Sequence, residues 1–227
     1  MAGIGELREG SLHAAVKALL AEPGDRAEVR VGRFVIDLVR ADGELVEVQT
    51  GGFGALGRKL DALLDEHRMR IVHPVAAERR IVRVDEHGEV LSARLSPKRA
   101  TAAEVFDRLV AFPTLLGHEH LTLEVLLLRE DHVRGPEPVR RRRRTRDPGE
   151  RRLVEVLDRV VLREPADLLA VLPPLPPEPF STRELAALMG CGRVLAQRTL
   201  YCLRALELVE PAGRRGPAPL HALATPS

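Results

Sequence analysis

Aromatic residues are scarce in this chain. Phe, Tyr and Trp together make up 3% of its 227 residues, and Trp is absent. Proteins that hold single-stranded nucleic acid without sequence preference depend on stacking the bases against aromatic side chains. The composition therefore argues against a single-strand-binding protein.

The chain also lacks the motifs of several enzyme classes. The Gly-rich segment 51–54 (GGFG) has neither the Lys-Ser/Thr pair of a nucleotide-binding loop nor the spacing of a dinucleotide fingerprint. No Gly-x-Ser-x-Gly elbow is present, and the segment 118–120 (HEH) lacks partner ligands at a zinc-like spacing. These absences exclude a P-loop ATPase and weaken the case for a serine hydrolase or a zinc site.

Cysteines and long apolar runs are few as well. The two cysteines, Cys191 and Cys202, match no metal-ligand spacing, so we expect both to be reduced and structural. No apolar stretch approaches the roughly 20 residues of a membrane span, and the N-terminus begins with polar and acidic residues. We expect a cytoplasmic protein without a membrane partner.

The net charge of +2 hides an uneven distribution. Residues 1–134 contain 19 Lys and Arg against 22 Asp and Glu, whereas residues 135–227 contain 16 against 11. A polyanion would therefore meet the second part of the chain first. All but three of the 35 basic residues are Arg, which a coding or thermal bias could produce without any binding role.

Two acidic residues lie within short apolar runs. Asp37 is in the segment 33–39 (RFVIDLV), Glu47 is in the segment 45–50 (LVEVQT), and an Asp-Gly turn signal separates them. This pattern predicts a β-hairpin that carries one carboxylate on each strand. A carboxylate is costly to bury without a cation, and two at hairpin distance could hold Mg²⁺.

The surrounding pattern predicts an α/β domain. Helical spacing of apolar residues marks residues 11–20, three short strands follow at 27–31, 34–39 and 45–50, and a second helix is predicted from Phe53 to about His67. A strand over 70–75, a hairpin of 80–84 with 90–95, a helix near 102–116 and a strand over 121–129 extend the domain. The core order is helix, three strands, helix, strand.

This order, with its two acidic strands, resembles the PD-(D/E)xK or restriction-endonuclease-like nucleases over about residues 6–76. The resemblance implies that Asp37 and Glu47 bind Mg²⁺ or Mn²⁺ and that Gln49 occupies the position of a Lys that activates the attacking water. It also implies a homodimer as one arrangement, because two active sites cut both strands of a duplex. A neutral amide at position 49 can orient water but supplies no positive charge.

Other residues could complete such a site. Lys59 or Arg58 on the second predicted helix could reach back to replace the missing cation, although a solvated helix face is the alternative. Glu6 or Glu9 would supply the additional acidic ligand that the resemblance implies near the first helix. His73 fits a packing residue better than a general base.

The second part of the chain predicts a separate small helical domain. A Pro- and Arg-rich segment over residues 134–150 is the predicted linker between a first domain of residues 1–133 and a second of residues 151–227. In the second domain, Ser181 and Glu184 form a capping-box pattern before a helix, and a tight Gly turn leads to a longer helix from Val194 to Leu208. With a hairpin after it, this is the pattern of a winged helix-turn-helix.

Basic residues in this half are candidates for contacts with nucleic acid. Phosphate binding by a linker of this kind would weaken steeply with salt. The candidates are Arg141, Arg142 and Arg143 in the linker and Arg193, Gln197, Arg198 and Arg204 on the longer helix.

The sequence thus leads to two main hypotheses. The first is a Mg²⁺-dependent nuclease of restriction-endonuclease-like fold whose winged helix docks on duplex DNA, with Asp37, Glu47, Gln49 and Lys59 in its active site. The second is a catalytically inactive nuclease fold that serves as a DNA-binding or adaptor protein. A winged helix that binds only protein is a third alternative.

Overall fold

The computed structural model describes residues 10–135 and 149–224, which form a mixed α/β structure. The helices are α1 (Ser11–Leu20), α2 (Gly57–Leu63), α3 (Phe106–Leu109), α4 (Asp167–Ala170), α5 (Thr182–Leu188) and α6 (Arg193–Ala205). The strands are β1 (Arg26–Val31), β2 (Phe34–Val39), β3 (Leu45–Val48), β4 (Met69–Val84), β5 (Val90–Leu95), β6 (Leu121–Arg134), β7 (Glu150–Leu162), β8 (Phe180–Ser181), β9 (Val209–Arg215) and β10 (Ala218–Leu223).

Seven strands form one mixed sheet in the order β1-β2-β3-β4-β6-β7, with β5 paired to the far end of β4. The pairs β3–β4 and β4–β6 are parallel, and the others are antiparallel. The order from α1 through β4 is the predicted helix, three strands, helix and strand. The large mixed sheet confirms the α/β class.

The sheet is covered on both sides, which explains its apolar strands. One cluster of buried residues joins Leu12, Val16 and Leu20 of α1 to Leu38 and Val46 of the sheet. The larger cluster lies on the side of α2 and includes Ile36, Leu45, Phe53, Leu60 and Phe106. Adjacent residues of β3 therefore pack on opposite sides, as expected for the period of a strand.

Strand β4 is longer than the sequence predicted. The predicted strands 70–75 and 80–84 are parts of one strand, which pairs with β6 from Met69 opposite Leu121 to Arg83 opposite Arg134, with one irregularity between Ala76 and Glu78. The polar middle of β4 has no strand signal of its own. Cross-strand ion pairs hold it, including Arg79 Nε to Glu130 Oε1 at 2.6 Å.

The predicted helix over 102–116 was wrong as a continuous element. Two short 3-10 turns flank the one-turn helix α3. Pro113 begins the second turn, and Phe112 before it has a non-helical backbone (φ −157°, ψ 64°). A proline disfavours helical geometry in the preceding residue, which explains the break.

The predicted start of the second domain at residue 151 was also wrong. Residues 150–162 form β7, which pairs with β6 from Val133 opposite Glu150 to Leu123 opposite Leu162. Helix α1 packs on β7, and Ser11 Oγ donates a hydrogen bond of 2.7 Å to the carbonyl of Arg151. The first unit therefore continues through residue 162.

The remaining elements have the order helix α4, strand β8, helices α5 and α6, and the hairpin β9–β10. The three strands form a second sheet in the order β8-β10-β9. The buried side of α6, with Ala196, Leu200 and Leu203, belongs to the same apolar cluster as Phe106 and Leu109 of α3. The two units thus share a core.

The capping box at the start of α5 is present. Ser181 Oγ accepts a hydrogen bond from the Glu184 backbone N–H at 3.3 Å, and the Glu184 carboxylate accepts one from the Ser181 N–H at 2.7 Å. The hydrogen bond from the Ser181 backbone N–H, followed by those from Arg215 and from the Ser181 hydroxyl, lowers the pKa of Glu184 to about 2.

Ser181→Ala is expected to lower the free energy of unfolding by about 1 kcal/mol, the usual cost of losing a capping side chain. Urea unfolding measures this cost. Thr101→Ala is the matched control, because Thr101 precedes a 3-10 turn without a side-chain cap. Equal effects of the two substitutions would show that the Ser181 cap does not stabilise α5.

Candidate functional site

The two acidic residues lie on the adjacent strands β2 and β3. The register places Leu38 opposite Val46, so Asp37 and Glu47 are the next pair along the hairpin. Asp37 Oδ2 accepts a hydrogen bond of 2.8 Å from the backbone N–H of Val48. This bond ties the Asp37 carboxylate to the strand that carries Glu47.

The Asp37 carboxylate has a partner that the sequence reasoning missed. His13 of α1 places Nε2 at 3.1 Å from Asp37 Oδ2. Although burial opposes ionisation, the hydrogen bonds from His13 and from the Val48 N–H lower the pKa of Asp37. The signal in the sequence was the polar pair His13 and Lys17, which are one helical turn apart beside the apolar stripe of α1.

Glu47 is the more deeply buried carboxylate. It is 5% exposed, and Lys59 of α2 donates a hydrogen bond of 2.6 Å from Nζ to Glu47 Oε1. Burial and the negative charge of Asp37 raise the pKa of Glu47 to about 7 despite Lys59. A positive charge placed between the two carboxylates would offset both the cost of burying the Glu47 charge and its repulsion from Asp37.

Lys59 is the basic residue of α2 that reaches Glu47. Its Nζ also donates to the Val35 carbonyl at 2.8 Å, so two of its three N–H donors are engaged by β2 and β3. The neighbouring Arg58 is exposed. The structure therefore brings Lys59 to Glu47, the cross-strand neighbour of Asp37, and leaves Arg58 outside this contact.

Gln49 directly follows β3. Its side-chain amide donates a hydrogen bond of 2.7 Å to the Gly52 carbonyl, and its own backbone carbonyl lies 2.6 Å from His73 Nδ1. His73 is buried within β4, with its ring edge-on to Phe53 at 5.3 Å between centroids. Desolvation lowers the pKa of His73 to about 4, so this residue is neutral near pH 7.

The donor chemistry of this pair suits a hard divalent cation. Mg²⁺ binds through one or two carboxylates and keeps several waters. Across residues 10–135 and 149–224, no group of three or more His, Cys, Asp and Glu side chains could hold a metal ion. The described residues therefore offer two carboxylates to a cation at this place. The predicted ligand Glu6, like Glu9, lies outside the described residues.

The predicted nucleic-acid contacts on α6 divide into two sets. Arg193, Gln197 and Arg204 are exposed, together with Tyr201 on the same helical face. Arg198 instead forms an ion pair of 2.9 Å with Asp107 of α3, although its side chain is 43% exposed. Its contact with nucleic acid stays a prediction. Arg141, Arg142 and Arg143 lie outside the described residues.

The two cysteines agree with the expectation from the sequence. Cys191 and Cys202 are both free cysteines, and burial raises the pKa of the Cys202 thiol to about 12. Among the described residues, no helix has the length and apolar character needed to cross a membrane.

Fold and site together define a mixed α/β protein in which the buried Glu47 pairs with a lysine and neighbours the partly buried Asp37. The chain belongs to the family described as "Domain of unknown function (DUF8091)", whose model matches residues 10–163. The match ends just after β7, in agreement with the extent of the large sheet.

The chain is also similar to a curated protein of Treponema pallidum (strain Nichols) that is named "Uncharacterized protein". The two are 32% identical over 220 residues, which cover 96% of this chain and 86% of the relative. No solved structure matches the chain. The similarity therefore extends through both units and carries no assigned activity.

Proposed function

We propose that this protein is a Mg²⁺-dependent nuclease that hydrolyses phosphodiester bonds of duplex DNA. The observation that carries the proposal is the contact of 2.6 Å between Lys59 Nζ and Glu47 Oε1. It places a cation beside the carboxylate pair, where the sequence has the neutral Gln49. The core order from α1 to β4 supports a restriction-endonuclease-like fold.

Each residue of the cluster has a role in this proposal. Asp37 and Glu47 would hold Mg²⁺, which when bound supplies charge neutralisation at the phosphate and an activated water. Lys59 has one N–H donor left after its contacts with Glu47 and Val35, and this donor would bind a phosphate oxygen. The side-chain amide of Gln49 donates an N–H to the Gly52 carbonyl, so its amide oxygen can accept a hydrogen bond from the attacking water.

The C-terminal unit would dock the protein on duplex DNA. Its order of helix, strand, two helices and hairpin supports a winged helix, in which α6 enters the major groove. The exposed face of α6 carries Arg193, Gln197 and Arg204, which suit phosphates and base edges. The hairpin β9–β10 adds Arg214 at its exposed tip.

A second candidate is a DNA-binding or adaptor protein whose nuclease fold has lost its chemistry. The observation that favours it is that both carboxylates already have cationic or imidazole partners, Lys59 for Glu47 and His13 for Asp37. In that case the ion pairs would serve to stabilise the hairpin. Duplex binding would then occur without strand scission.

The test is to incubate the purified protein with supercoiled and linear duplex DNA in Mg²⁺, Mn²⁺ or EDTA. Asp37→Asn removes one anionic ligand, so metal-dependent cleavage by the natural protein and none by this variant is expected. Asp42→Asn, an exposed acid in the β2–β3 turn, is the matched control and should cleave normally.

Equal cleavage by the natural protein and Asp37→Asn would overturn the proposed site. An absence of cleavage together with salt-sensitive duplex binding would favour the second candidate. Binding is measured in EDTA at several salt concentrations, so that the two activities are separated.

A further inference from the structure

A small basic pocket is lined by residues of β4 and by Thr50, which follows β3. Its volume is about 150 Å³, and its lining includes Thr50, His73, Arg79, Lys98, Arg108 and Arg151. We call it the basic pocket. A water molecule occupies about 30 Å³ in the liquid, so this space can accept a tetrahedral oxyanion in place of several waters.

The charges around the pocket do not cancel. Arg79 and Arg151 both contact Glu130, which is fully buried, and Lys98 pairs with Glu104 at 3.2 Å. Within the described residues, Arg108 has no ion pair. Four cations against two carboxylates leave an excess of two positive charges.

The two arginines on Glu130 retain donors for a ligand. Arg79 donates to Glu130 through Nε, and Arg151 through Nε and Nη2, whereas each guanidinium has five N–H groups. Their side chains are about one third exposed. Glu130 therefore fixes both guanidinium groups and leaves most of their N–H donors available at the pocket.

Arg108 and Arg151 both lie close to His73. After desolvation, their charges are among the causes that lower the pKa of His73. His73 Nδ1 faces the Gln49 carbonyl, so this nitrogen carries the ring hydrogen. The pocket is thereby joined through one hydrogen bond to the strand that carries Glu47.

The position of the pocket relates it to the carboxylate pair. Thr50 comes three residues after Glu47 and two residues after the end of β3. Thr50 and Arg151 also line a neighbouring cavity together with His13, the partner of Asp37. A group bound in the basic pocket would therefore lie next to the segment that follows Glu47.

We propose that the basic pocket binds the terminal phosphate of a nucleic-acid strand. A terminal phosphate carries between one and two negative charges at pH 7 and three acceptor oxygens, whereas a backbone phosphate carries one charge. The excess of two positive charges and the arginine donors match the terminal group better. The choice of a nucleic acid as the source of the phosphate rests on the proposed function. The choice of a phosphate as the ligand rests on the charges and donors of the pocket alone.

The test measures binding of inorganic phosphate by isothermal titration calorimetry in EDTA at fixed salt. Arg108→Gln should weaken binding at least tenfold, and Arg108→Lys should recover part of the loss. Lys98→Gln, at a position with an exposed side chain, should weaken binding less. Arg183→Gln is the matched control, because Arg183 is an exposed arginine on α5 outside the pocket.

The source of the phosphate is tested by competition. A short duplex with 5′-phosphate or 3′-phosphate ends should displace inorganic phosphate at lower concentration than the same duplex with hydroxyl ends. Equal competition by all duplexes would overturn the terminal phosphate as the ligand. An absence of phosphate binding, or unchanged binding in Arg108→Gln, would overturn the pocket itself.

The test of phosphate binding can fail or succeed independently of the test of DNA cleavage. Asp37→Asn leaves the basic pocket intact and should bind phosphate like the natural protein, whether or not either protein cleaves DNA. Loss of phosphate binding in this variant would contradict the assignment of the ligand to the basic pocket.

Discussion

Glu47→Gln is expected to make the protein more stable at pH 8.5, with a gain that shrinks as the pH falls toward 4.5. The pKa of Glu47 is raised from 4.5 to about 7 in the folded protein. Between these values only the unfolded chain releases the proton, so the natural protein loses stability as the pH rises. Above about pH 7 the loss in free energy of unfolding is constant, on the order of 3 kcal/mol.

Glutamine imitates the protonated carboxyl group and avoids this loss. Urea unfolding of the two proteins between pH 5 and 8.5, with EDTA present, measures the difference. Glu44→Gln is the control, since Glu44 is a partly buried carboxylate of the same hairpin that pairs with Arg70. A gain that does not change with pH would contradict the ionisation of Glu47 as its cause.

Comparison of the natural protein with Glu47→Gln also tests metal binding. A ligand that binds only the folded state stabilises it in proportion to the logarithm of its concentration. Mg²⁺ should therefore raise the stability of the natural protein more at pH 8.5 than at pH 5, where Glu47 is protonated. It should leave Glu47→Gln largely unaffected.

Lys59→Met is expected to lower the rate of DNA cleavage about 100- to 1,000-fold. Loss of one donor that stabilises developing charge in an active site typically has an effect of this size. Methionine keeps the length and apolar stem of the side chain, so α2 should keep its packing. Single-turnover cleavage with excess enzyme measures the chemical step.

Two variants separate this role from a structural one. Arg58→Met removes the exposed neighbouring cation and should cleave like the natural protein. Lys59→Arg keeps the charge and should retain more activity than Lys59→Met. If Lys59→Met weakens duplex binding and leaves the rate of the bound complex unchanged, Lys59 does not act in the chemical step.

Much of the sheet could be predicted from local patterns. The strands around Asp37 and Glu47 follow β-branched runs and a turn signal, and α1 follows the spacing of its leucines. The length of β4 and the place of β7 could not be predicted in this way. Both depend on pairing with β6, which is distant in sequence, and on ion pairs such as Arg79 with Glu130.

The candidate site was predicted unevenly for a related reason. Two acids on adjacent strands are visible in the sequence, because hairpin register is local. His13 reaches Asp37 only because α1 packs across the sheet, and Arg198 turns to Asp107 only because α6 shares a core with α3. Such contacts depend on how the elements pack.

The shared core of the two units would set the geometry of the proposed reaction on DNA. Helix α6 is held to α3 by buried apolar contacts and by the ion pair of Arg198 with Asp107, so it cannot swing freely relative to the sheet. A duplex seated on α6 would present its backbone to Asp37 and Glu47 at one separation. The proposed cleavage would then occur at a constant number of base pairs from the site at which α6 docks.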